Sequence, residues 1–203
     1  MTTNDDTLVL PVGHFIGRLG RAPYGVRVGR RGVGIDSDTE FQVWRLAYGA
    51  PGRRPWTRSA LLAAASAAKQ PDAEATLDKL RSTGLITEVA PGTPAAIEFA
   101  EAYRLVPLLS GVAEAADVPD RHHLGVNGRP YATVDSWAYA VWCWAPLSDN
   151  LWRLAQESAA LDAEDPTEES PATEEDVLDD LLDAAQALLA SGAAYLDESR
   201  PTR

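Results

Sequence analysis

Residues 28–47, VGRRGVGIDSDTEFQVWRLA, decide the reading of the fold because they recur. Shifted by 98 residues they align with residues 126–145, VNGRPYATVDSWAYAVWCWA. Val28 meets Val126, Arg31 meets Arg129, Phe41 meets Tyr139, Trp44 meets Trp142 and Ala47 meets Ala145. The matches fall on bulky apolar and turn-forming positions, where a repeated fold keeps its residues. Each copy reads as a β-ribbon around a tight turn, then an Asp/Ser segment that caps a Trp-bearing helix.

Working outward, the 203 residues suffice for two domains of roughly 100 residues each. Apolar residues at 45% and charged residues at 24% are the proportions of a globular chain. No apolar run approaches the roughly 20 residues a bilayer span needs. The N-terminus, MTTNDDTLVLPVG, lacks the basic head and apolar stretch of a signal peptide. A single cysteine, Cys143, excludes an internal disulfide framework. A cytoplasmic location is the expectation. The net charge of −12 is uneven: residues 1–70 hold ten Lys/Arg against five Asp/Glu, and residues 71–203 hold eight against twenty-five. Phosphates repel the acidic part, so nucleic acid could be met only by the first.

In chain order, residues 7–16 read as a strand broken near Pro11 and Gly13, and residues 18–24 as a turn region. Residues 25–35 read as a hairpin with its tip at Gly29-Arg30-Arg31-Gly32. A helix follows over residues 39–48, then a Thr57-capped helix over 58–69 and a third over 73–83. Gly84-Leu85-Ile86 leads into a strand. Thr57-x-x-x-Leu61, Leu77-x-x-Leu80 and Gly84-Leu85-Ile86 together form a winged-helix signature. Pro94 opens a helix that joins the halves, although residues 105–111 (LVPLLSG) echo residues 8–13 (LVLPVG) and could open the second copy instead. The second copy has its turn at Asn127-Gly128, helices over 137–145, 151–158 and from Thr173 to Ala190, and a strand after Gly192. The expected architecture is α+β: two winged-helix-like domains in tandem, each a β-hairpin, three helices and a wing. The divisions are 1–93 (basic N-terminal part), a connecting helix over 94–116, and an acidic domain over 117–203 carrying an inserted loop at 159–172.

The hairpin, the Trp-bearing helix, the Thr-led helix and the L-x-x-L…G-L-I ending of residues 26–88 also resemble the PqqD-like fold. That fold is the RiPP recognition element of ribosomal peptide biosynthesis. The resemblance extends less clearly to residues 124–197. It implies a leader peptide bound as an added strand beside the hairpin, against the third helix. Residues 27–31 and the exposed side of residues 72–81, Lys79 included, would then be the contacts.

Enzyme chemistry finds little support. His122-His123 lacks the i, i+4 spacing of a helical zinc pair and reads as a surface pair. Cys143 reads as a small buried hydrophobe. The Gly-rich GRRGVG is a hairpin tip, not a phosphate loop. No catalytic residue, cofactor or metal is expected. The binding candidates are Arg27, Arg30, Arg31, Arg54, Lys79 and Arg81 in the first domain. In the second they are Asp176, Asp179, Asp180 and Asp183, which lie on a helix with no Lys or Arg. Trp56, beside Pro55 and Arg54, is expected to be an exposed anchor, because exposed Trp with Arg is the composition of interaction hot spots. Most of the other tryptophans are expected in the core. These features point to a non-enzymatic adaptor that binds a protein or peptide, with the acidic half selecting a basic partner. The alternative is a DNA-binding regulator that uses the arginine-rich first domain. A competing reading has the arginines solvated or docked on the acidic half.

Overall fold

Pro11 and Gly13 cut the N-terminal β-forming run into β1 (Leu8–Pro11) and β2 (His14–Leu19). Gly13 sits at φ 93°, a region that favours glycine, and turns the chain between them. The computed structural model describes residues 7–52, 55–114, 119–164 and 170–201. β3 (Ala22–Val28) and β4 (Arg31–Ile35) follow, and β2, β3 and β4 form a three-stranded antiparallel meander. Residues 18–24, expected to be a turn, therefore mostly lie in strands, because Gly20 and Arg21 alone suffice for the reversal. The β3–β4 tip is the two residues Gly29-Arg30.

Ser37 accepts a hydrogen bond from the Glu40 N–H and starts α1 (Asp38–Leu46). Thr57 caps α2 (Arg58–Ala67) through the Ala60 N–H. α3 (Ala73–Ser82) then leads through Gly84 into β5 (Ile86–Val89). β5 pairs antiparallel with β1, Leu8 opposite Val89 and Pro11 opposite Ile86. The chain does not return from β5 as a second wing strand: Pro94 occupies the first turn of α4 (Pro94–Ala102), where its missing N–H costs nothing.

α4 ends at Ala102. The helix expected over 94–116 is instead this short helix, then β6 (Tyr103–Pro107) and β7 (Ser110–Glu114). β8 (Arg121–Val126) and β9 (Arg129–Asp135) turn at Asn127 and Gly128, both with positive φ as a tight hairpin turn requires. β7, β8 and β9 form the second three-stranded sheet. Asp135 caps α5 (Ser136–Trp144). α6 (Leu151–Glu164) is longer than expected and takes residues 159–164 from the predicted loop; residues 165–169 of that loop lie outside the described residues. Ala159, 7% exposed, keeps this extra turn in contact with the core. α7 (Glu174–Ala190) opens with a capping box between Thr173 and Asp176, and β10 (Ala194–Glu198) pairs antiparallel with β6.

The molecule is α+β, with small antiparallel sheets and amphipathic helices. Its element order recurs: one strand, a three-stranded meander, three helices, and a strand that pairs back to the first. The repetition reaches the side chains. Tyr24 stacks on Phe41 with ring centroids 4.0 Å apart, and Phe41 lies 6.0 Å from Trp44. At the 98-residue offset, His122 stacks on Tyr139 at 4.2 Å, and Tyr139 lies 5.7 Å from Trp142.

One continuous apolar cluster spans both halves, from Leu8 to Leu196. The two pairs of strands meet where Val12 bridges Leu196 and the Gly13 N–H donates to the Leu196 carbonyl at 2.7 Å. Gln186 of α7, 4% exposed, bonds the Trp56 backbone in both directions. α4 packs against α6 and α7.

Candidate binding cleft

β2 and α1 stand side by side, where Tyr24 of β3 stacks on Phe41 and Phe15 leans against it with ring centroids 5.1 Å apart. Across from them lie the end of α7 and the Leu108 turn of the second half. Between the two sides is a cleft of about 590 Å³, within the range of ligand-sized concavities. Three large apolar side chains in its lining remain exposed: Phe15 at 40%, Leu108 at 42% and Tyr131 at 76%. The floor is fixed. Trp44 donates its indole N–H to the Leu85 carbonyl at 3.1 Å, and the Tyr48 hydroxyl donates to the Gly13 carbonyl at 3.3 Å. Burial pushes the Tyr48 phenol well above its ordinary value, so it stays neutral. Arg45 and His14 are the basic groups of the lining. The His14 ring lies tilted against Tyr195 with centroids 5.0 Å apart; burial, then Arg27, holds its pKa below the ordinary 6.5, with Asp197 opposing.

Among the described residues, none of the sequence-predicted binding candidates lines this cleft, and many are already engaged. Arg27 donates to the Tyr195 hydroxyl and lies 3.5 Å from Asp197. Arg31 pairs with Glu198 at 2.7 Å. The first hairpin therefore docks on the last strand of the acidic half. Arg30 is exposed and forms no ion pair among the described residues. Lys79 pairs with Glu40 at 2.7 Å and Arg81 with Glu88 at 2.9 Å. Arg58, which contacts Glu88, Asp78 and Glu74, completes this belt across α2, α3 and β5. Arg54 lies outside the described residues.

Trp56 corrects an expectation: it is 5% exposed and cannot serve as a surface anchor. Its neighbours Arg54 and Pro55 suggest a loop, but the peptide is held between Val9 and Gln186, from segments distant in sequence. Cys143, expected to be buried, is exposed. The tryptophans also divide differently: Trp137 is 40% and Trp144 60% exposed, while Trp44 is buried.

On α7, Asp176 caps its own helix, and its bonds with Thr173 hold its carboxyl below the ordinary value. Asp179 accepts from the Gly92 N–H at 2.8 Å, which ties α7 to the first half. The carbonyl of Asp180 accepts from the Trp137 indole at 3.1 Å. The side chains of Asp180 and Asp183 are exposed. His122 contacts Ser136 at 3.2 Å and His123 contacts Thr133 at 3.0 Å. No described group of three or more His, Cys, Asp or Glu side chains is arranged to hold a metal, and no described helix is long and apolar enough to cross a membrane.

The cleft residues Phe15, Leu108 and Tyr131 were not singled out from the sequence. Tyr131 carried a readable signal: on β9 it is out of phase with buried Ala132 and Val134, so the strand period points it outward. No protein-family model matches the chain, and no curated protein and no solved structure gives a significant match to it.

Proposed function

We propose that this protein is a non-enzymatic adaptor that binds a protein or peptide in the cleft between two winged-helix-like domains in tandem. The repeated element order supports this division, with α4 as the connector and the second unit opening at β6. One observation carries the binding reading: Phe15, Leu108 and Tyr131 are held solvent-exposed on one concavity with a fixed aromatic floor. Exposing large apolar groups forgoes burial worth roughly 25 cal/mol per Å², which a partner would recover. The exposed acids of α7 and the net charge of −12 favour a partner with basic residues flanking its apolar anchor. The DNA-binding alternative draws less support, because Arg31 is matched by Glu198 and Arg27 is turned to Asp197 across the seam, so the hairpin offers no row of unpaired arginines to a duplex.

The test is selection of peptides from a random phage-displayed library on the purified protein. The expected result is enrichment of apolar or aromatic anchors flanked by Lys or Arg, with affinity lost in Phe15→Ala/Tyr131→Ala and the circular dichroism unchanged. Peptides that bind the double variant equally well, or no enrichment at all, would defeat the proposal.

A further inference from the structure

A second concavity, of about 410 Å³, lies on the seam between the halves, beyond Tyr195 from the aromatic cleft. Four arginines line it: Arg27 and Arg30 from the first hairpin, Arg104 from β6, and Arg200 after β10. Two carboxylates, Asp197 and Glu198, accompany them. Glu198 is matched by Arg31, which is not part of the lining. Within the cleft, four guanidiniums therefore face one carboxylate, a local excess of positive charge in a chain of net charge −12.

Asp197 acts as the organiser of this cluster. Its side chain is only 2% exposed and lies 3.5 Å from Arg27 and 3.8 Å from Arg104. It also accepts from the Gly29 N–H at 2.6 Å and from the Glu198 N–H at 3.1 Å. Gly29, at φ 55°, lets the hairpin tip come this close: a Cβ there would lie 2.1 Å from a Glu198 carboxylate oxygen. Arg27 spends donors on the Gly29 carbonyl, the Tyr195 hydroxyl and Asp197, and Arg104 on the Glu198 carbonyl and Asp197; each guanidinium carries five N–H groups, so both keep some to spare. Arg30 has no ion pair among the described residues, and Arg200 gives one side-chain hydrogen bond, to the Pro146 carbonyl. Forked donors lining one space recognise oxyanions bidentately, and here Asp197 holds two of them, Arg27 and Arg104, in place. An excess of more than two positive charges suits a dianion better than a single carboxylate.

We propose that this seam cleft is a binding site for a small molecule carrying a phosphate group. Because the arginines come from both halves, the ligand would clamp the halves together and stabilise the fold by linkage. The proposal is independent of the adaptor reading.

The experiment is thermal unfolding of the full chain, titrated with inorganic phosphate and, separately, with adenosine 5′-monophosphate, at constant ionic strength in chloride. The expected result is a saturable rise in Tm. A response to both ligands assigns the phosphate alone, and a response only to the nucleotide assigns a larger phosphorylated ligand. Arg30→Gln/Arg200→Gln, which leaves the Asp197 pairs intact and removes the bond to the Pro146 carbonyl, should still unfold in one transition in chloride and lose about tenfold or more in apparent affinity. Arg129→Gln, an exposed arginine on β9, should bind as the wild type does. A response that does not saturate, or one equal in the wild type and the double variant, would overturn the proposal.

Discussion

The side-chain amide of Gln186 completes the backbone of Trp56: its Oε1 accepts from the Trp56 N–H and its Nε2 donates to the Trp56 carbonyl, each at 3.0 Å. The two residues are 130 positions apart, and both are buried. A buried amide that pairs both ways across the seam makes the two halves a single packing problem. Gln186→Leu is expected to leave the Trp56 N–H without a partner and to cost about 1–3 kcal/mol. Urea unfolding would show this as a lower midpoint with an unchanged m-value, and a second transition in the variant would show the halves uncoupling.

Glu40 and Lys79 supply an acid-sensitive link between α1 and α3. Burial alone would raise the Glu40 carboxyl, but the hydrogen bonds and charge of Lys79, aided by Ser37, bring it below its ordinary value of 4.5. A carboxyl depressed on folding contributes stability above its unfolded pKa and loses it as pH falls through the folded one. Wild type should therefore exceed Lys79→Met in stability at neutral pH, and the difference should shrink once the pH falls below 4.5. Unfolding midpoints of both proteins across this range would check it.

His14 acts in a higher window. Burial and the nearby Arg27 disfavour its charged form, so its folded pKa lies below 6.5. The unfolded chain then binds the proton more readily, and stability is lost as pH falls below 6.5 toward the folded value. His14→Gln should flatten this slope between about pH 7.5 and about pH 5.5. An equal slope in both proteins would refute the assignment.

Local chemistry was the legible part of the chain. Ser37, Thr57, Asp135 and Thr173 cap helices where the sequence placed them, because capping depends on the next three residues. The repeat was legible because its side chains keep one register over 98 positions. The first strand of each meander was less so: β2 is irregular, with register shifts between Phe15 and Gly17 and between Gly17 and Leu19, and its alternation is blurred. The burial of Trp56 was hidden, since it depends on Gln186 and Val9. The candidate cleft was hidden for the same reason, because α1 and the end of α7 come together only through tertiary packing. Arginine charge was read correctly as an asymmetry, but the sequence did not show how much of it the chain would spend on its own carboxylates.

The repeat keeps a glycine at Gly13 and Gly111, also 98 apart, and the two should respond differently to one methyl group. Gly13 has φ 93°, and a Cβ there would lie 2.6 Å from the Arg27 carbonyl oxygen and 2.5 Å from a Val26 methyl. Neither can move away, since Arg27 is in the central strand of its sheet and Val26 is fully buried. Gly111 has no positive φ, and its Cβ would meet the Tyr139 hydroxyl at 3.3 Å, a contact that a small shift relieves. Gly13→Ala should therefore cost about 2 kcal/mol or more, through backbone strain and the loss of the Gly13 bond to Leu196. Gly111→Ala should stay within about 1 kcal/mol of wild type. Equal losses would mean that the turn after β1 tolerates a side chain, and that the seam between the halves does not depend on this turn.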